Sequence, residues 1–205
     1  LGGDDGIAVA MALAILDDRT IPHPRLEVVL TTEEEIGMMG AVALDASPLR
    51  GRKLLNLDSE AEGVFTVSCA GGSMARCALP VTRTAFAGTA LAVRVSGLVG
   101  GHSGTEIHKG RANACMVLGR VLQAMGAETE LRLVTAAGGG KDNAIPMESS
   151  AQVVASDEAA ARQAAEQMAA ALTREYAVAD PGLRVEVTAC EVSETPMDKA
   201  STEKA

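Results

Sequence analysis

The sequence has almost no aromatic residues: one tyrosine, two phenylalanines and no tryptophan among 205 residues. Proteins that bind single-stranded nucleic acids stack the bases on aromatic rings, and this chain has no such platform. Basic residues are also in the minority, because 27 acidic against 18 basic residues give a formal net charge of -9. Nucleic acids and anionic membrane surfaces attract concentrated positive charge. The composition therefore predicts no nucleic-acid and no membrane partner, and it favours a cation or a small polar ligand.

Close cysteine pairs and long apolar runs are missing as well. No two of the four cysteines have the spacing of a zinc ribbon or a redox motif; they are Cys69, Cys77, Cys115 and Cys190. We expect buried free thiols in a reducing, cytoplasmic compartment. No apolar run reaches the length of a membrane span. Because the sequence starts at Leu1, within an apparent strand-to-helix turn, we expect it to be a fragment of a longer protein.

Helix and strand patterns alternate over residues 1–71. An apolar helix is predicted from Ile7 to Leu16 after a glycine-rich turn, and runs of strand length follow at 25–32 and 53–59. Strands that alternate with helices are typical of βαβ units, which build parallel sheets. We therefore interpret residues 1–71 as an α/β domain fragment with a parallel-type sheet.

From residue 72 the pattern changes to strands that alternate apolar and polar side chains. In the first of them, Leu91, Val93 and Val95 alternate with other residues that face the opposite way. Helices are predicted at about 111–125 and at 157–176, and they separate pairs of strands. The order strand, strand, helix, strand, strand, helix, strand indicates a ferredoxin-like sandwich. We therefore predict an α+β ferredoxin-like domain over residues 72–205, incomplete at its C-terminus.

Acidic residues crowd at three places in the first part of the chain. Asp4 and Asp5 precede the first helix, three consecutive glutamates start at Glu33 after a predicted strand, and Asp58 ends the next strand. Neighbouring carboxylates repel each other and raise each other's pKa. Divalent cations reverse this cost, because two metal ions can share a carboxylate and activate water while a free carboxylate acts as general base. The clusters therefore predict a metal site at the edge of the sheet.

Four segments of the chain together resemble one family. The segments "LGGDDG", "TTEEEIG", "LLNLDSEAEG" and "GGHSGTEIHKGRANA" are similar, in order and spacing, to the Xaa-His (aminoacyl-histidine) dipeptidases. These enzymes are a branch of the dinuclear zinc exopeptidases, related to peptidase T and carnosinase. The resemblance implies an α/β zinc-peptidase domain that carries a ferredoxin-like lid. It also implies a cytoplasmic metallo-dipeptidase with a small peptide substrate, which forms a homodimer through the lid.

The resemblance implies roles for the crowded carboxylates. Asp4 would bridge two zinc ions per subunit, while Glu35 and Asp58 would each bind one of them. Glu34 would be the general base. Cobalt or manganese could replace zinc, since carboxylates alone do not separate these ions.

The resemblance also implies roles for two residues of the lid. His102 would reach the active site of the partner subunit and stabilise the anionic intermediate, and Asn143 would contact the substrate.

The family's two histidine metal ligands, one upstream of the bridging aspartate and one near the C-terminus, have no counterpart here. Neither His23 nor His108 stands in the right place. We therefore expect this chain alone to bind zinc weakly and to show no peptidase activity.

Two other interpretations stay open. The chain could be a non-catalytic dimerisation module whose acidic clusters are vestigial. It could instead keep the same fold and act on tripeptides or N-acyl amino acids. Zinc content separates the first alternative from a peptidase, since a vestigial cluster should retain little metal.

Overall fold

A computed structural model describes residues 3, 5–58, 61–69 and 73–205. The chain divides into two compact units, Leu1–Met74 and Ala75–Ala205. None of the helices in the described ranges is both long and apolar enough to cross a membrane.

The first unit contains short helices and, among its described residues, no β-strand. Helix α1 spans Gly6–Asp17, a single 3₁₀ turn spans Glu34–Ile36, and helix α2 spans Met39–Val42. Helix α1 begins after Asp5, whose carboxylate accepts the backbone N–H of Ala8 at 3.3 Å, as expected of an N-cap. The helix predicted from Ile7 to Leu16 is therefore confirmed.

The parallel-type sheet predicted for residues 1–71 is wrong over the residues that the structure describes. Residues 25–32 and 53–58 are not assigned to any strand, and no described residue of this unit is buried. Even in α1, Ile7 and Leu13 are 68% and 57% exposed. A strand needs a hydrogen-bonded neighbour and a face to bury, as well as an apolar sequence. The described part of the first unit supplies neither, so the apolar runs do not form a sheet.

The second unit contains a four-stranded sheet and a two-stranded ribbon. Its strands are β1 (Thr89–Ser96), β2 (Gly101–His102), β3 (Leu131–Gly138), β4 (Ala144–Ile145), β5 (Ser149–Ala155) and β6 (Arg184–Ala189). The sheet has the order β3-β5-β1-β6 and the ribbon pairs β2 with β4. All of these pairs are antiparallel.

Two long helices pack against each other and against this sheet. They are α3 (Ala114–Glu128) and α4 (Glu158–Glu175), and a short helix α5 (Lys199–Lys204) contacts the outer strand β3. The strand order and the positions of α3 and α4 in the chain are those of a ferredoxin-like sandwich. The α+β architecture predicted for this part of the chain is therefore confirmed.

The core of the second unit lies between the sheet and the two long helices. Leu91, Val93 and Val95 of β1 are fully buried, and the intervening Arg94 is exposed, as the alternation in the sequence predicts. The helices contribute further fully buried side chains: Val117, Val121, Met125 and Leu172. Aliphatic residues and methionine thus build the core without a large aromatic contribution.

The cysteines are free, but the prediction that they are buried is wrong for three of them. Cys69, Cys77 and Cys115 are exposed, and Cys190 is half-buried. Cys69 lies in the first unit, where no described residue is buried, and Cys77 lies in a segment without helix or strand. Cys115 is exposed in the first turn of α3, where it lines an open groove beside β3. Burial fails because no packed element covers these positions.

We expect Leu172→Ala to lower the free energy of unfolding of the second unit by about 2–5 kcal/mol, because removing buried methyl groups leaves a cavity. Leu172 is fully buried in α4, whereas Val178 is 96% exposed. The matched variant Val178→Ala should change that free energy by less than about 0.5 kcal/mol. Urea unfolding followed by circular dichroism measures both, and equal effects would contradict this core.

Candidate active site

The three consecutive glutamates lie in a tight turn, residues 33–37, called here the acidic turn. Its centre is the 3₁₀ turn Glu34–Ile36. On either side, Glu33 and Met38 have left-handed backbone conformations, with φ angles of 62° and 57°. Such conformations cost about 1–3 kcal/mol each in residues other than glycine, and they cluster at functional sites. The backbone of the acidic turn therefore favours a functional role for its carboxylates.

The carboxylates predicted to act on a metal are exposed in the structure. Glu34, Glu35 and Asp58 all lie at the surface, and the ion pairs of the described part of the chain engage other acidic residues. Among the described residues, no three His, Cys, Asp or Glu side chains are arranged to hold a metal ion. Asp4, the predicted bridging ligand, lies outside the described residues. The described residues thus do not complete a metal site by themselves, and the assignment of Asp4, Glu35 and Asp58 as ligands stays a prediction.

His102 and Asn143 lie next to each other on the β2–β4 ribbon. His102 stands opposite Ala144, and the backbone N–H of Ser103 donates to the carbonyl oxygen of Asn143 at 2.9 Å. Both His102 and Asn143 are exposed. The ribbon therefore brings together the two residues of the second unit to which the resemblance assigns contacts with the substrate.

The ring of His102 is held in one orientation by its own turn. Its Nδ1 accepts the backbone N–H groups of Gly104 at 3.0 Å and of Thr105 at 3.2 Å. A ring nitrogen that accepts two hydrogen bonds carries no proton, so the neutral ring in this arrangement is protonated on Nε2. The Nε2–H group is then the donor that remains for an anionic or carbonyl oxygen of a ligand.

Glu106 fixes the backbone of His102. One carboxylate oxygen accepts the N–H of His102 at 3.0 Å, and the other accepts a hydrogen bond from the Lys109 ammonium and lies 3.5 Å from the guanidinium of Arg111. The hydrogen bond from Lys109, followed by that from the His102 N–H, lowers the pKa of Glu106 to about 2. The carboxylate is therefore charged at neutral pH, and it anchors the turn that orients the His102 ring.

A glycine is required at position 101, directly before His102. The φ angle of Gly101 is 138°, a region that L side chains rarely adopt, and a Cβ there would lie 2.4 Å from Arg111 Nη1 and 2.6 Å from Glu106 Oε2. The guanidinium of Arg111 in turn donates to the carbonyl oxygen of Gly100. The second glycine of "GGHSG" thus lets the charged side chains approach the backbone beside His102.

The stability of the fold should depend on pH through Glu106. Its pKa in the folded chain is about 2, below the usual 4.5, so the stabilisation is fully present above pH 4.5 and is lost as the pH falls towards about 2. We expect Glu106→Gln to lower the free energy of unfolding at neutral pH and to flatten its decline across this acidic range. Urea unfolding at a series of pH values measures both. An unchanged acid profile in Glu106→Gln would contradict the interactions of Glu106.

A groove of about 1190 Å³ lies elsewhere in the second unit, between α3, β3 and α5. It is lined by apolar side chains of α3, such as Leu118 and Leu122, and by the end of β3, from Ala136 to Gly138. His102 and Asn143 are not among its lining residues. The groove is therefore separate from the ribbon and runs along an outer strand of the sheet.

Comparisons with known proteins support the resemblance. Residues 93–180 match the family model "Peptidase dimerisation domain". The chain is 45% identical over 160 residues to the cytosol non-specific dipeptidase of Escherichia coli (strain K12), a match that covers 77% of this chain and 33% of that protein. The crystal structure of aminoacylhistidine dipeptidase from Vibrio alginolyticus matches with a TM-score of 0.72 and 31% identity, over 100% of this chain and 42% of that chain.

The chain thus spans less than half of the length of either relative. The dimerisation-domain match begins within β1, ends after α4 and includes the ribbon that carries His102. The predicted resemblance to the aminoacyl-histidine dipeptidases is confirmed, and residues 93–180 match the model of a peptidase dimerisation domain.

Proposed function

We propose that this chain works as part of a longer polypeptide, called here the complete protein, and that the complete protein is a zinc-dependent dipeptidase that cleaves Xaa-His dipeptides. The observation that carries the proposal is the fixed ring of His102, whose Nδ1 accepts two backbone N–H groups and leaves Nε2–H as a donor. Such a preorganised donor suits the oxyanion that forms when water attacks a peptide carbonyl. The two relatives, both named as dipeptidases, support the same reaction.

Three residues of the chain have different roles in the proposed reaction. Glu34 accepts a proton from the attacking water and passes it to the amine that leaves, as a general acid–base group does. His102 donates its Nε2–H to the oxyanion in the active site of the partner subunit, and Asn143 contacts the same substrate. These steps require the acidic turn and the ribbon to keep the geometry of their backbones.

Asp4, Glu35 and Asp58 are proposed as ligands of two zinc ions per subunit. Their order and spacing along the chain, together with the exposed position of Glu35 and Asp58, support this role. Cobalt or manganese would accept the same oxygen ligands. Because the family's imidazole ligands have no counterpart among the three histidines of this chain, the 205-residue chain alone should bind zinc weakly and lack activity.

The complete protein is proposed to be a homodimer that pairs through the second unit. The match of residues 93–180 to a peptidase dimerisation domain supports this proposal. The groove between α3, β3 and α5 lies beside the outer strand β3 and is lined by both apolar and charged side chains. Leu133 of β3 already bonds to Met197 and Thr202 of the same chain, so we propose that a second copy continues the sheet at the other end of the strand, from Ala136 to Gly138. Sedimentation of the 205-residue chain should show a dimer, and a monomer at every concentration tested would contradict this arrangement.

Substrate choice can be tested with the complete protein and a panel of peptides. We expect kcat/KM to be highest for Xaa-His dipeptides, lower for other dipeptides, and much lower for tripeptides and N-acyl amino acids. A preference for tripeptides or N-acyl amino acids would replace the proposed substrate while keeping the reaction. Hydrolysis of none of these compounds by the zinc-loaded protein would favour the dimerisation module without catalytic activity.

A further inference from the structure

Asp180 is a buried acid that the proposed reaction does not use. It lies between α4 and β6, and it is 1% exposed. Its Oδ1 accepts the backbone N–H of Val99 at 2.7 Å, and its Oδ2 accepts the backbone N–H of Ala112 at 2.6 Å. These two residues are the ends of the segment 99–112, called here the His102 loop. A single carboxylate therefore joins both ends of the loop that carries His102.

The backbone around Asp180 is itself held in place. The N–H of Asp180 donates to the carbonyl oxygen of Tyr176 at 2.8 Å, and its own carbonyl oxygen accepts the N–H of Leu183 at 3.0 Å. The next turn packs directly against the end of β1, because a Cβ on Gly97 would lie only 2.0 Å from the carbonyl oxygen of Gly182. Asp180 thus presents its carboxylate from a rigid part of the fold.

Hydrogen bonds within the His102 loop connect its two ends to the imidazole ring of His102. Arg111, next to Ala112, donates to the carbonyl oxygen of Gly100, next to Val99. Glu106 accepts the N–H of His102 at 3.0 Å, and the turn that follows directs two N–H groups at Nδ1 of the ring. Together with the contact between Arg111 and Glu106, these bonds link the ends of the loop to the turn that orients the ring.

We propose that Asp180 is a positioning residue for His102: by joining Val99 to Ala112 it holds the loop in the form that keeps Nδ1 as acceptor and Nε2 as donor. The expected effect of Asp180 on catalysis rests on the proposed function of His102, whereas its effect on the position of the ring does not. A carboxylate is required because both of its oxygens accept hydrogen bonds. An asparagine amide in its place would offer one acceptor oxygen and would turn an NH₂ group towards the second N–H, whose partner would be lost.

The substitution Asp180→Asn in the 205-residue chain tests the positioning role without any need for activity. We expect hydrogen exchange of the amides of Val99 or Ala112, and of Gly104 and Thr105, to become at least about tenfold faster, the size expected for loss of a hydrogen bond to a charged acceptor. In nitrogen-15 spectra, the His102 ring should change from one tautomer, protonated on Nε2, to a mixture of both. Asp180→Ala should have the same effects in larger measure.

Asp157→Asn is the matched control. Asp157 caps α4 by accepting the N–H of Ala160 at 3.0 Å, and it makes no hydrogen bond to the His102 loop among the described residues. We expect this variant to leave the exchange of loop amides and the tautomer of His102 unchanged. A single Nε2 tautomer with slow loop exchange in Asp180→Asn would overturn the inference, and so would equal changes in Asp157→Asn. If Asp180→Ala does not fold, Asp180→Asn still decides.

A double-mutant cycle in the complete protein tests the link to catalysis. Asp180→Asn should lower kcat about tenfold with little change in KM, since it disturbs a donor to the transition state. In a His102→Ala background the same substitution should have no further effect on kcat, because Asp180 acts through His102. Additive losses would overturn the positioning role.

The two proposals can fail separately. If His102→Ala leaves turnover unchanged, the proposed role of His102 fails, but the exchange and tautomer measurements still decide whether Asp180 positions the ring. If His102→Ala abolishes turnover while Asp180→Asn leaves the loop and kcat unchanged, the proposed function stands and the inference about Asp180 is wrong.

Discussion

Glu34→Gln is expected to lower kcat of the complete protein about 10²- to 10⁴-fold, the range measured for loss of a general acid–base group. Glutamine keeps the size of the side chain but cannot accept the proton of the attacking water. The acidic turn should keep its form, since Glu34 is exposed and the left-handed backbone positions lie at Glu33 and Met38. Zinc content should not change, because Glu34 is not a proposed ligand.

The neighbouring glutamates provide the controls for this prediction. Glu33→Gln should leave both kcat and zinc content near the wild-type values, because no role is proposed for the carboxylate of Glu33. Glu35→Gln should lower both, since Glu35 is a proposed zinc ligand. Steady-state kinetics and metal analysis on the same preparations separate the three cases. If Glu34→Gln also lost its zinc, or if Glu33→Gln were as inactive as Glu34→Gln, the assigned roles would be wrong.

His102→Ala is expected to lower kcat about 10²- to 10³-fold with little change in KM, as measured when one donor to an oxyanion is removed. The Nε2–H of His102 is positioned before the substrate binds, because Nδ1 is already occupied by the N–H groups of Gly104 and Thr105. The proposed hydrogen bond from Nε2–H to the substrate oxygen should strengthen as negative charge develops there. The loss should therefore fall on the chemical step.

The other two histidines of the chain are matched controls for His102. His108 is exposed in the 3₁₀ turn Ile107–Lys109, and His23 is an exposed residue of the first unit. We expect His108→Ala and His23→Ala to retain kcat within about twofold, because both side chains are exposed and no contact with the substrate is proposed for either, although His108 lies in the His102 loop. A similar loss of kcat in His108→Ala and His102→Ala would contradict a specific role for His102.

Local sequence patterns predict most of the second unit. The period-two alternation of β1 places Leu91 and Val93 on the buried face, and the helical spacing of apolar residues predicts α3 and α4 within a few positions of their ends. This part of the chain buries its own apolar residues, so the pattern and the packing agree. The strand order then follows from the sequence of elements, because few arrangements of two helices and four strands pack well.

The first unit shows why apolar runs alone do not predict a sheet. Residues 25–32 have the composition of a buried strand, yet Val28 is 41% exposed and Leu30 is 58% exposed. Strand pairing depends on a neighbour that the local sequence does not identify. Because the described residues supply no such neighbour, residues 25–32 do not form part of a sheet, although their composition is that of a strand.

Long-range hydrogen bonds also limit how much of the site can be predicted from the sequence. The sequence places Glu106 and Lys109 three residues apart, a spacing at which an ion pair is expected. From the sequence alone, this pair looks like an ordinary surface ion pair. Asp180 gives no local signal, since its partners Val99 and Ala112 lie 81 and 68 residues away. Only the folded structure shows that this aspartate closes the loop that carries His102.

The crowded carboxylates are proposed to act through bound metal in a dipeptidase. The most direct test is the hydrolysis of an Xaa-His dipeptide by the complete protein before chelation, after removal of metal by a chelator, and after zinc is added back. We expect turnover that disappears with the metal and returns with zinc. Turnover that continues at the same rate without metal, or no turnover in the zinc-loaded protein, would contradict it.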